Sequence, residues 1–198
     1  WGTSADHFVR KGWTWIGASV QQVGVNGLPE ADPRGGAGLI QWNPKRYAGL
    51  DLTAGGTVTD DSQSFDVFTQ IAALAKDKAK TNPLRDLRIR TAYAAGASQS
   101  ARYLGVYYNT VQETAKVYDG FLIAIGGSSL PPRSAVGTKV LRVWTENDVY
   151  IGLAAPATRV ADTSTLKTWE IAGASHVPAY SVSEDPADFR ATLGAIQE

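Results

Sequence analysis

The stretch that most constrains this chain is Leu87 to Leu104. A β-compatible run from Arg88 to Ala95 meets a cluster of small residues around Ser98, and a helix-compatible run begins directly at Ala101-Arg102-Tyr103-Leu104. Passing from strand to helix in so few residues demands a sharp corner, and Gly96, Ala97 and Ser100 are small enough to let the two elements pass closely. A serine at such a corner has its hydroxyl presented beyond the end of the strand. The same pattern also fits an ordinary turn in which Ser98 caps a helix. The rest of the chain has to separate a reactive serine from a structural one.

Four further runs read as strands: Gly12–Val20, Gly120–Gly126, Val140–Trp144 and Leu166–Ile171, each rich in β-branched or aromatic residues. Between and around them lie helical patterns at Ala5–Arg10, Ser64–Lys78, from the serine corner to about Lys116, and Pro186–Ile196. In the second of these Phe65, Phe68, Ile71, Ala72 and Ala75 fall on one face, with Ser64 as the expected N-cap and Asp66 in the first turn. Gln21–Gly56 and Gly127–Gly137 read as irregular, and both are expected to shape a pocket. The Gly35–Gly38 cluster reads as loop, because no phosphate-loop lysine follows it. Strands alternating with helices imply an α/β fold: a mostly parallel sheet with helices on both faces, formed by one domain over residues 1–198.

Composition removes several function classes. Among 198 residues, 19 basic and 19 acidic side chains balance, so no overall field attracts nucleic acid or an anionic membrane. The basic residues between Lys76 and Arg90 are interrupted by Asp77 and Asp86 and lack interleaved aromatics, which suits a solvated helix end. With no cysteine and 2 histidines, thiolate and histidine-based metal sites find no support, and none is expected. No run is long and apolar enough to span a membrane. The chain starts at Trp1 and has no methionine, as expected of a processed chain or a fragment.

Reactive groups on an open parallel sheet gather where the strands end at their carboxyl edge. Three candidates fall there: Ser98, an acid after Val140–Trp144, and His176 after Leu166–Ile171. A serine hydroxyl is a weak nucleophile until a base takes its proton. His176 has the chemistry for that task, with a carboxylate behind it to fix the tautomer, whereas His7 reads as a surface residue. Two acids compete for the carboxylate role. Asp148 is favoured because it lies a few residues beyond the strand, while Glu146 is nearer the strand end and reaches further. The backbone N–H of Gln99, next after the serine, is the expected oxyanion donor, and a second donor is expected before Trp1 or from another chain.

The order serine, acid, histidine is the order found in α/β-hydrolases. The chain resembles that superfamily, and in particular an α/β-hydrolase domain family of often exported serine esterases. The resemblance is carried by Arg10–Gln21, Ser64–Gln70, Gly96–Ala101, Val117–Phe121, Thr145–Asp148 and Ala172–His176, and runs through nearly the whole chain. Ser100 departs from the family pattern, standing where a second glycine is usual and crowding the turn. The resemblance implies hydrolysis of a small-molecule carboxylic ester through an acyl-serine, with no cofactor and a secreted or periplasmic location. It also implies that the first strands of the sheet precede Trp1 or come from a second chain. A catalytically inactive binding or structural module on the same fold is the competing reading.

Overall fold

The computed structural model describes residues 5–28, 38–80, 82–126, 130–150 and 156–176. The chain forms two compact units, one of Thr14–Ile89 and the other of Trp1–Trp13 with Arg90–Glu198.

The larger unit is built on four parallel strands, β1 (Tyr93–Ala97), β2 (Gly120–Ala124), β3 (Lys139–Thr145) and β4 (Leu166–Ile171), which lie side by side in chain order. Ala97 pairs with Ala124, Ala124 with Val143, and Thr145 with Ile171, so the carboxyl ends finish close to one line. The expected α/β architecture with a parallel sheet and flanking helices is present. Two of the expected strands depart most from expectation. The first strand starts at Tyr93 and not at Arg88: the ladder to β2 begins at Tyr93 opposite Gly120, and Ala92 just before it bonds to Asp119 outside the strand. The expected strand over Gly12–Val20 is irregular and largely exposed, with Trp13, Trp15 and Ile16 in contact with solvent. Aromatic and β-branched residues favour a strand only where a partner edge covers them.

Helix α6 (Gln99–Thr110) follows the serine corner and buries Ala101, Leu104, Tyr107 and Tyr108. Tyr108 meets Phe121 edge-on at 5.1 Å, and Tyr118 closes the cluster 5.7 Å from the same ring. Burial pushes the Tyr118 phenol above its ordinary pKa. The helix expected as far as Lys116 breaks at Val111 and resumes as the short α7 (Gln112–Ala115). Just before the break the Thr110 hydroxyl donates back to the Val106 carbonyl at 2.8 Å, a bond that bends helices.

Buried polar groups tie this layer to the loops. Gln112 donates to the Tyr118 carbonyl at 2.8 Å, and Asn109 donates to that of Pro131 at 3.0 Å. On β3, Arg142 lies within the structure, donating to the Thr168 hydroxyl at 3.1 Å and the Thr158 carbonyl at 2.9 Å, its guanidinium 4.5 Å from the Trp144 ring. Burial lowers its pKa, opposed by the charge of Asp162.

The smaller unit contains four helices among its described residues: α2 (Gln22–Asn26), α3 (Leu39–Trp42), α4 (Pro44–Tyr47) and α5 (Ser64–Lys76). Three of these fall inside the stretch read as irregular. Each is only 4 or 5 residues long, too short to give a periodic signal. Gln63 occupies the N-cap position expected of Ser64, which is the first helical residue and is buried. The far end of α5 is closed by Asn82, whose amide donates to the carbonyls of Leu74 and Asp77 at 2.6 Å each. In the basic run, Lys78 donates to the carbonyls of Arg85 and Leu87 at 3.0 and 2.7 Å. Of the Gly35–Gly38 cluster only Gly38 is described, and the expected helix over Pro186–Ile196 lies outside the described residues.

Candidate active site

Ser98 is the single residue between β1 and α6, and it has φ 56° and ψ −119°. A side-chain-bearing residue in that region is strained by roughly 1–3 kcal/mol, and surrounding bonds have to hold it there. Its N–H donates to the carbonyls of Ala124 and Ile125, at 3.1 and 3.0 Å, and its own carbonyl accepts from Arg102 N–H at 3.2 Å to start the helix. The corner also depends on two glycines. A Cβ on Gly96 would lie 2.8 Å from the Ser100 carbonyl oxygen, and one on Gly126 would lie 2.8 Å from that of Ser98. Gly96 therefore makes the close passage between strand and helix. Ser100 is exposed, so its side chain does not crowd the turn.

The Ser98 hydroxyl is exposed at the end of β1 and lies 2.9 Å from Nε2 of His176. On the other side of the ring, Nδ1 lies 2.8 Å from Oδ1 of Asp148. A carboxylate has no proton to give, so Nδ1 carries the hydrogen and Nε2 is left as an acceptor facing the hydroxyl. The imidazole is one quarter exposed, whereas Asp148 is at 0%. The structure thus brings Ser98, His176 and Asp148 together, from the ends of β1, β4 and β3. His7 is exposed on α1 (Ala5–Arg10).

Asp148 owes its position to local sequence. It belongs to the short helix α8 (Glu146–Tyr150), which begins as β3 ends. Its Oδ2 accepts from the N–H and the hydroxyl of Thr145, at 2.8 and 2.9 Å, while its own N–H approaches the Thr145 hydroxyl at 3.4 Å. This reciprocal arrangement is a capping box written T-x-x-D. It orients the carboxylate with Oδ1 toward the imidazole. Glu146 lies apart from the ring: its Oε2 accepts from the Gly173 N–H at 2.6 Å, and its own N–H donates to the Ala174 carbonyl at 3.1 Å.

Gln99 is the first residue of α6, and among the described residues its N–H has no hydrogen-bond partner. First-turn N–H groups are without helical acceptors and carry the positive end of the dipole, so a developing anion at Ser98 would meet a donor. No group of three or more histidine, aspartate or glutamate side chains is placed to hold a metal ion among the described residues. Sequence reasoning missed two contributors. Gly126 gives no local signal, since its importance comes from Ser98, 28 residues away in the chain. Thr145 was readable in T-x-x-D, where threonine is itself the cap.

No helix among the described residues is long and apolar enough to cross a membrane. A family model described as alpha/beta hydrolase domain matches residues 1–197. No curated protein and no solved structure gives a significant match.

Proposed function

Starting from the fact that the chain belongs to the alpha/beta hydrolase domain family over residues 1–197, we propose that it is a serine hydrolase that cleaves a small-molecule carboxylic ester through an acyl-serine intermediate. The observation that carries this reading is the unbroken hydrogen-bonded line from Ser98 Oγ through His176 to Asp148. In the first step Ser98 Oγ attacks the ester carbonyl carbon while its proton passes to His176 Nε2. The oxyanion that forms accepts from the Gln99 N–H. His176 then returns the proton to the departing alkoxide, the C–O bond breaks, and an alcohol leaves the acyl-serine. Water repeats the sequence on the acyl group, giving its proton to His176 and releasing the carboxylic acid and Ser98. Asp148 stays ionised throughout and stabilises the imidazolium that forms twice per cycle. Export from the cytoplasm, implied by the resemblance, is part of the same proposal.

An active-serine fluorophosphonate tests the reading directly. The folded protein is expected to take up one label, mapped to Ser98 by mass spectrometry, and to hydrolyse an activated ester; Ser98→Ala abolishes both. A folded protein that neither labels nor hydrolyses would instead be the inactive module, and the proposal would fail.

A further inference from the structure

We infer that Glu146 is a positioning residue for His176, holding the start of the loop whose end carries the imidazole. This rests on the functional reading above and adds a residue to it.

The histidine sits at the end of a loop that leaves the sheet. Strand β4 stops at Ile171 and His176 lies five residues further on, past a turn in which Gly173 has φ 73°. Between the two, the Ala174 N–H donates to the Ile171 carbonyl at a long 3.4 Å. The stronger restraints come from α8. Glu146 meets the loop twice in opposite senses, its N–H donating to Ala174 and its carboxylate accepting from Gly173. Asp148, two residues along the same helix, takes the imidazole. The helix is therefore a bracket with one acid at each end of the loop. Glu146 fixes where the loop leaves the sheet, and Asp148 fixes the ring that arrives.

The two contacts differ in what they need. The Glu146 N–H to Ala174 bond survives replacement of the side chain by alanine or glutamine. The carboxylate bond to Gly173 is 2.6 Å, the short distance of a charge-assisted bond, and is made by one oxygen. Glutamine keeps an oxygen at that position, and alanine keeps none. Removing the bond releases the turn by which the imidazole must stay within reach of both Ser98 and Asp148. A displacement on the order of 1 Å at such a distance from the chemistry can cost about a hundredfold.

The experiment compares Glu146→Ala and Glu146→Gln with the unmodified chain. Turnover of an activated ester gives kcat and KM, and proton NMR follows the downfield Nδ1–H of His176 held by Asp148. In Glu146→Ala, kcat is expected to fall about a hundredfold with KM unchanged, and the downfield resonance to broaden or vanish. In Glu146→Gln the resonance persists and kcat stays within about tenfold, since a neutral acceptor forms a bond roughly half as strong. An unchanged kcat and resonance in Glu146→Ala overturns the proposal, as does Glu146→Gln behaving like Glu146→Ala. If the unmodified protein shows no turnover or labelling, the functional reading fails; the NMR comparison still decides whether Glu146 positions the ring.

Discussion

Gly126 stands so close to Ser98 that a Cβ on it would lie 2.8 Å from the serine carbonyl oxygen and 3.1 Å from the serine Cα. The neighbour is backbone already held in a strained conformation, so it has little room to yield. Gly126→Ala is expected to destabilise the protein by about 1–3 kcal/mol, the usual cost of overpacking, and to lower ester turnover by displacing the corner. Urea unfolding beside a turnover assay checks both. Gly49→Ala is the control: a Cβ there meets nothing within 4 Å, and the change is expected to stay within about 0.5 kcal/mol.

The positive φ of Ser98 separates two inactive variants. Ser98→Ala keeps a side chain in the disfavoured region, while Ser98→Gly removes the steric reason for the strain. Both are expected to lose about a millionfold in kcat, as when a triad nucleophile is removed. In chemical denaturation Ser98→Gly should be the more stable by about 1 kcal/mol. Equal stability of the two would show that the corner carries no strain.

Asp148→Asn tests the direction of the proton relay. The amide oxygen satisfies the two Thr145 donors in the place of Oδ2, which turns the amide NH2 toward His176 Nδ1. Nδ1 must then be an acceptor, and the ring proton moves to Nε2, where it cannot take the serine proton. A loss in kcat of about 10,000-fold is expected, with the fold kept. Thermal melting and the NMR signal of the ring proton check it.

Arg142 offers a stability prediction away from the site. It is 3% exposed and forms no ion pair within 4.0 Å among the described residues, so its charge has been taken out of water with two neutral acceptors, an aromatic face and the more distant charge of Asp162 in return. Arg142→Met fills most of the volume without that penalty and is expected to be at least as stable as the parent. Arg142→Ala leaves a cavity against Trp144 and is expected to lose about 2–5 kcal/mol. Urea midpoints separate the outcomes.

What the sequence made readable follows from the range of the interactions. Strands β2 and β3 were legible because parallel strands covered by neighbours read as apolar runs, as Phe121–Ile123 and, Arg142 apart, Val140–Trp144 do, while β4 was legible from its β-branched and aromatic residues Thr168, Trp169 and Ile171. Ser98, Asp148 and His176 were legible as candidates because each lies within five residues of a strand end. The imidazole lies against Asp148 and not Glu146, and what aims that carboxylate, the box with Thr145, is a contact that the distance from the strand end does not reveal. The Gly12–Val20 stretch misled because it has strand composition and, among the described residues, no strand paired with it. The contacts of Gly126 with Ser98 and of Glu146 with Gly173 join residues 27 or 28 apart in the chain, and no local pattern encodes them.

The spatial order of the strands is also their order of synthesis. Ser98 and Asp148 can take their places on β1 and β3 while the chain beyond them is still emerging, but the imidazole arrives only after β4 has joined the edge of the sheet. Until the β3–β4 ladder closes, Ser98 has no imidazole beside it. On the proposed function, the moment at which a nascent chain first takes up a phosphonate therefore marks the docking of β4.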